Sequence, residues 1–404
     1  MRKPASFARR AAGLPSTFPP AHVPAELRAE IIPFDSGFAF PQLLPDLTCF
    51  ADDALGAHRA QALQYGIGQG HPELRAWIAD YMNRDGCRLS GANILIVNGA
   101  KGGLDLICRL LIDEGDAVVV GAPMYFTAIP IFRTFGVEFV TVNQDADGIE
   151  VGELRHTLQQ RAQQGLPPPK FIYDVVDFHN PSGVTATAQR RSELVDLARE
   201  WNIFLIEDNP YRRVRFRGES LPTLKSLDAD GDLVFHVGTF SKLIAPGLRL
   251  GWIAAHESLI ARLIRLKSDG GCSPFMQQVV LGFCQSPHFT THVRKVQDTY
   301  REHRDRMLAA VKRELPGVQV AIPEGGYYLW LTLPANVNSD VLASRAEEVA
   351  VHIIPGSRFF PSEDETTLAR ARRYVRLSYS FATLDQIDEG LKRLGPIYRS
   401  LASG

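Results

Sequence analysis

The chain has little cysteine, no surplus of charge and no long apolar run. Its five cysteines, Cys49, Cys87, Cys108, Cys272 and Cys284, are odd in number and scattered. None forms a CxxC pair or clusters with histidine, so neither a disulfide framework nor a metal centre is expected. A reducing, cytoplasmic setting is the expectation. Lysine and arginine number 44 against 45 acidic residues, for a net charge of -1. That balance leaves no electrostatic footprint for nucleic acid or an anionic membrane, so any bound anion must be held locally. No apolar stretch approaches the ~20 residues that cross a bilayer, and no signal-peptide core follows Met1. The basic residues from Met1–Lys3 to Arg9–Arg10 read as part of an arm rather than a transit peptide. Repeats and low-complexity tracts are absent.

What is present is ordinary globular composition, 45% hydrophobic and 22% charged over 404 residues. That length exceeds what one core usually supports, so a large domain, a smaller one and a cleft between them are expected. Residues 1–45 are rich in proline and read as an arm over other structure. From Pro72 onward helix and short apolar strand alternate. Helices are predicted over Glu73–Met82, Gly103–Ile112 and Ala188–Glu200, and strands over Asn93–Val97, Ala117–Val120, Phe171–Val176, Ile203–Glu207, Leu233–Val237 and Trp252–Ala255. This is the pattern of an α/β fold, a mainly parallel sheet sandwiched by helices, with its sites at strand ends. A helical stretch over Phe275–Arg313 precedes strands at Gln319–Ile322, Tyr327–Leu333, Val351–Ile354 and Val375–Ser380. They read as a smaller α+β domain joined by the arm. The expected division is 1–45 arm, 46–290 large domain and 291–404 small domain.

The stretch from Gly238 to Trp252 follows a strand and places Thr239, Ser241, Lys242 and Arg249 around a glycine turn. A lysine amine condenses with an aldehyde, and hydroxyls with a guanidinium hold a phosphate, so the set suits a phosphorylated aldehyde. Phe204 to Tyr211 ends an apolar strand with Glu207 and Asp208, where a carboxylate can face a bound ring. Asn98 to Gly103 follows a strand and opens a helix, so its amides can receive a phosphate, although the spacing of a Walker loop is missing. Asn180 to Gly183 reads locally as a turn. In the C-terminal part, Arg376 sits in an alternating strand from Tyr374 to Ser378, and its guanidinium matches a carboxylate.

Taken in order, these segments resemble fold type I aminotransferases that use pyridoxal 5'-phosphate, over about Asp35 to Leu394. The similar subgroup holds the 2-aminoadipate and kynurenine aminotransferases and the related domain of regulators that carry a DNA-binding module; none is expected here before residue 35. The resemblance implies that Lys242 carries the cofactor as a Schiff base and shuttles the proton, with Thr239, Ser241 and Arg249 on its phosphate together with Ala100 and Lys101. It implies Asp208 at the pyridine nitrogen, Tyr211 and Asn180 at the phenolic oxygen, Tyr125 stacked on the ring and Arg376 on the substrate's α-carboxylate. Tyr65 resembles a tyrosine contributed to the neighbour's phosphate, which implies a homodimer. Gly37 belongs to a loop over the substrate.

Departures fall on the side-chain pocket: Phe38 to Phe40 replace a common run, Tyr327 and Tyr328 stand where aliphatic residues or Phe are frequent, and Arg358 stands where relatives often have a small residue. His179 reads as a structural or pocket-edge residue. The resemblance implies ping-pong transfer of an α-amino group from an amino acid to a 2-oxo acid. Elimination, cyclisation, racemisation or decarboxylation on the same fold, and a cofactor-sensing domain without catalysis, remain open. So do the roles of Cys272, Arg358 and Tyr327.

Overall fold

A computed structural model describes residues 31–228 and 231–403; most of the proline-rich arm, including its basic stretch, lies outside them. Its large sheet is built from the apolar runs. Side chains of a strand alternate between faces, and here both faces are buried. Val119, Ile172, Leu205 and Val234 pack on one side beneath the helices Val151–Gln163 and Ala188–Trp201. Val118, Val120, Phe171, Ile206 and Phe235 pack on the other with Leu104 and Ile107 of the helix Gly99–Leu111. Burial on both faces is why these strands read as continuous apolar runs.

The sheet has eight strands in the order Ile94–Val97, Gly251–Ala254, Val234–Thr239, Phe204–Asp208, Phe171–Asp174, Ala117–Ala122, Glu138–Asp145 and Gly148–Ile149. The five strands from Val234–Thr239 to Glu138–Asp145 are mutually parallel, whereas Gly251–Ala254 runs against both of its neighbours. The tight return through Pro246–Leu248 imposes that reversal. Gly238 and Gly251 allow it: a Cβ at Gly238 would lie 2.2 Å from the Trp252 indole, and one at Gly251 would lie 2.7 Å from the Gly238 carbonyl.

The helical stretch expected over Phe275–Arg313 is present as two helices, Pro274–Gln285 and Pro287–Glu314. Pro287 lacks the N–H that would continue the first helix and is well suited to open the second. The predicted strand Gln319–Ile322 shrinks to Gln319–Val320, with Ile322 exposed, and Val351–Ile354 divides into strands of two different sheets. The C-terminal strands form an antiparallel sheet in the order Gln319–Val320, Tyr328–Thr332, Tyr374–Ser378 and Ile354–Pro355. Ile32–Pro33 pairs in parallel with Val351–His352. The chain then runs over the strand ends: the Phe34 carbonyl accepts from the Ser378 amide at 2.7 Å, and the Phe38 carbonyl from the Ser380 hydroxyl at 2.7 Å.

Beneath the segment carrying Asp208 and Tyr211, the fully buried Asp177 carboxylate meets Arg191 at 2.7 Å, Arg212 at 3.0 Å and the Asn209 amide at 2.9 Å. Burial opposes its charge, but Arg191 and Arg212 outweigh burial and hold the carboxyl well below its ordinary range. Removing one partner of a buried pair leaves an uncompensated charge. Asp177→Asn is therefore expected to destabilise the protein by about 3–5 kcal/mol in urea denaturation followed by circular dichroism. A loss below about 1 kcal/mol would show that the arginines find other partners.

Candidate active site

Parallel strands deliver their C-terminal ends to one edge of the sheet, and a cavity of about 330 Å³ opens there. The strand Phe204–Asp208 delivers Asp208, and Val234–Thr239 delivers Thr239. Ala117–Ala122 leads to Tyr125, and Ile94–Val97 leads to the first turn of the helix Gly99–Leu111. Gly37, Ala100, Lys101, Tyr125, Asn180, Asp208, Tyr211, Thr239, Ser241, Lys242, Arg249 and Arg376 all line this one cavity. Tyr65 does not: it is 91% exposed on the surface of its own chain.

The Lys242 amine donates to the Gly37 carbonyl at 2.5 Å and lies 5.1 Å from the centre of the Tyr327 ring. Burial, with help from the charges of Arg376 and Lys101, lowers its pKa to about 8. Asp208 accepts from the Tyr173 hydroxyl at 2.8 Å through Oδ2, while Oδ1 is buried without a partner. Burial pushes its pKa up to about 6, against the pull of Tyr173 and His236. Asn180 accepts from Arg376 at 2.9 Å through Oδ1, and its Nδ2 is buried without a partner.

Arg376 is 1% exposed, and no carboxylate lies within salt-bridge reach of it among the described residues. It donates instead to the Asp35 carbonyl at 2.5 Å, and its guanidinium lies 4.1 Å from the centre of the Tyr328 ring. A buried cation with only neutral partners is costly unless an anion joins it.

On the opposite wall, Thr239 donates to Ser241 at 3.0 Å and accepts from the Ser241 amide at 3.1 Å. Arg249, in the left-handed region at φ 53°, lies beside Gly99, where a Cβ would stand 3.0 Å from the guanidinium. The helix Gly99–Leu111 has no side-chain cap at its N-terminus, and the Asn98 side-chain amide donates to Asp269. Two hydroxyls, a guanidinium and uncapped amides together make an anion cradle.

Other residues singled out in the sequence lie elsewhere. Arg358 lines a neighbouring groove with Phe360 and Thr134, which meets the cavity at Lys101, Phe126 and Thr127. Cys272 is buried in the core with Phe240 and Trp252, and burial pushes its thiol up to about 11. Tyr327 lies behind the cavity wall, its hydroxyl 3.5 Å from the Lys242 carbonyl. His179 bonds Ser182 at 2.9 Å, and burial drives its pKa down to about 3, so it is neutral at physiological pH.

Sequence reasoning missed Tyr173, whose strand is paired to that of Asp208, and Phe126 of the cavity wall. A tyrosine inside an apolar strand carries no signal of its partner until the sheet register is known.

Fold and cavity together define a class, an α/β enzyme with a lysine and an anion cradle at the sheet's carboxyl edge. The chain belongs to the class I and II aminotransferases, whose family model matches residues 42–394, and its cofactor is pyridoxal phosphate. It is 34% identical to aromatic-amino-acid aminotransferase 1 of Thermococcus litoralis, over 91% of this chain and 87% of that protein. It is 31% identical to the 2-aminoadipate transaminase of Thermus thermophilus, over 93% and 91%. The kynurenine aminotransferase of Pyrococcus horikoshii, solved with PMP, superposes with a TM-score of 0.88 at 30% identity, covering 98% of this chain and 97% of that one. Among the described residues no helix is long and apolar enough to cross a membrane.

Proposed function

We propose that this aminotransferase moves the α-amino group of an amino acid to a 2-oxo acid in two half-reactions, with Lys242 as the residue that holds the cofactor and moves the proton. The observation that carries this reading is that, of the four buried atoms without partners on residues of this cavity, Thr127 Oγ1 being the fourth, three belong to residues that the family resemblance places on cofactor or substrate: Asp208 Oδ1, Asn180 Nδ2 and Arg376 Nε. An unpartnered buried polar atom costs about 1–3 kcal/mol, so three in one cavity argue for a guest that satisfies them. A pyridine N–H suits the first, a phenolic oxygen the second and a substrate carboxylate the third.

When bound, the cofactor supplies an electron-withdrawing ring for the charge left at the substrate's α-carbon and a carbon that stores the amino group between half-reactions. The chain's residues do the rest. Asp208, steadied by Tyr173, keeps the ring nitrogen protonated. Asn180 and Tyr211 donate to the phenolic oxygen, and Tyr125 covers the ring face. Thr239, Ser241, Arg249 and the amides of Ala100 and Lys101 hold the phosphate, leaving the Lys101 side chain free of catalysis. Arg376 orients the α-carboxylate, and Lys242, with its lowered pKa, takes the α-proton as a neutral amine and returns it.

The exposed Leu63, Tyr65 and Ile67, all more than 60% accessible, support a homodimer in which Tyr65 reaches the neighbour's phosphate. The division into arm, large domain 46–290 and small domain 291–404, and a cytoplasmic setting, belong to the same reading.

The test is to add single amino acids to the purified enzyme without any oxo acid. The visible band is expected to bleach with release of about one 2-oxo acid per site. Adding a 2-oxo acid should restore it. A spectral change without release of a 2-oxo acid would put elimination, racemisation or decarboxylation in place of transfer.

A further inference from the structure

Tyr328 opens the strand Tyr328–Thr332, is paired with Ser378 and lies diagonal to Arg376 on the neighbouring strand. It is buried, and it touches three elements of the cavity. Its ring stacks against the Arg376 guanidinium at 4.1 Å, and its hydroxyl lies 3.2 Å from that of Tyr211. The same hydroxyl fills space above Gly37, where a Cβ would stand 2.1 Å from the phenol oxygen. Gly37 in turn presents its carbonyl to the Lys242 amine.

Two phenols sharing one hydrogen bond have one donor between them. If Tyr211 spends its proton on the cofactor's phenolic oxygen, as the reading above has it, the Tyr328 hydroxyl must donate to Tyr211. A donor chain of this kind polarises the group in its middle and strengthens its onward bond.

We propose that Tyr328 is a positioning residue: its hydroxyl orients Tyr211 and strengthens it as a donor to the cofactor, while its ring supports Arg376. The two halves of this role separate by substitution. Tyr328→Phe keeps the ring and loses only the hydroxyl. A weaker donation from Tyr211 leaves the ring oxygen's negative charge less stabilised, and such an oxygen holds the neighbouring proton more tightly. The pH midpoint of the loaded enzyme's visible band therefore moves up.

The experiment is a spectrophotometric pH titration of the intact loaded enzyme, its Tyr328→Phe and Tyr211→Phe variants, and the double variant. Tyr328→Phe is expected to raise the midpoint by ~0.3–1 unit and leave the KM for the amino acid within about twofold. In the Tyr211→Phe background the same change should move the midpoint little, because the hydroxyl acts through Tyr211. Tyr328→Leu, which removes the ring beneath Arg376, should raise KM as well. An unmoved midpoint in Tyr328→Phe, or an equal movement with and without the Tyr211 hydroxyl, overturns the proposal. A parent enzyme without a visible band would overturn the reading of the site itself, and this role with it.

Discussion

Lys242→Ala is expected to lower the rate of 2-oxo acid formation by roughly four orders of magnitude or more, because in the proposed function one amine both holds the cofactor and moves the proton. After borohydride reduction, the intact mass of the parent should carry the cofactor increment and that of the variant should not. A variant that keeps a hundredth of the activity would refute the assignment of this lysine.

The pH dependence of loading has a definite sign. A lysine nucleophile acts as the neutral amine, and with a pKa of about 8 roughly a tenth of Lys242 is neutral at pH 7. An ordinary lysine would be neutral at only about one part in 2,500 there. Recombination of the cofactor-free protein with pyridoxal phosphate should therefore accelerate from pH 6, reach half its maximum near pH 8 and level off above. A half-maximum above pH 10 would mean that the amine is not desolvated.

Arg376→Ala is expected to cut kcat/KM for amino acids by about 10²- to 10³-fold, since it removes the buried cation proposed to meet the substrate's carboxylate. Arg376→Lys should fall between parent and alanine variant, because an ammonium keeps the charge but not the planar fork. Reaction with a primary amine that lacks the carboxylate supplies the control. It should change little in Arg376→Ala, and a loss as large as for amino acids would show that the arginine acts on the fold of the site, through Asn180 and the Asp35 carbonyl, rather than on substrate.

Much of the proposed cofactor side was legible in the chain because its groups sit next to one another in short segments and line one cavity. Asp208 ends a strand, Thr239 ends another, and Ser241 and Lys242 follow within three residues. Parallel strands carry such ends to one edge whatever the details of packing. The substrate side was less legible. Arg376 and Asn180 are 196 positions apart, and their 2.9 Å contact depends on how the antiparallel sheet seats against the large one. The sequence left the place of Arg358 open, and it lines a neighbouring groove. The strand expected over Gln319–Ile322 was shortened because short edge strands obey packing more than pattern, and the helical run to Arg313 is present but divided at Pro287.

By itself, then, the order of residues determined the class of fold, the alternation of helix and strand, and the candidate hydroxyls and lysine of the cavity, because each depends on neighbours within a few positions. Tertiary structure decided which polar atoms are left buried without partners, that Tyr173 braces Asp208, that Tyr328 reaches Tyr211 across the space above Gly37, and that Tyr65 is exposed and does not line its own chain's cavity. Those outcomes are set by register and by contacts between segments distant in the chain, where the desolvation of each group depends on every element packed around it.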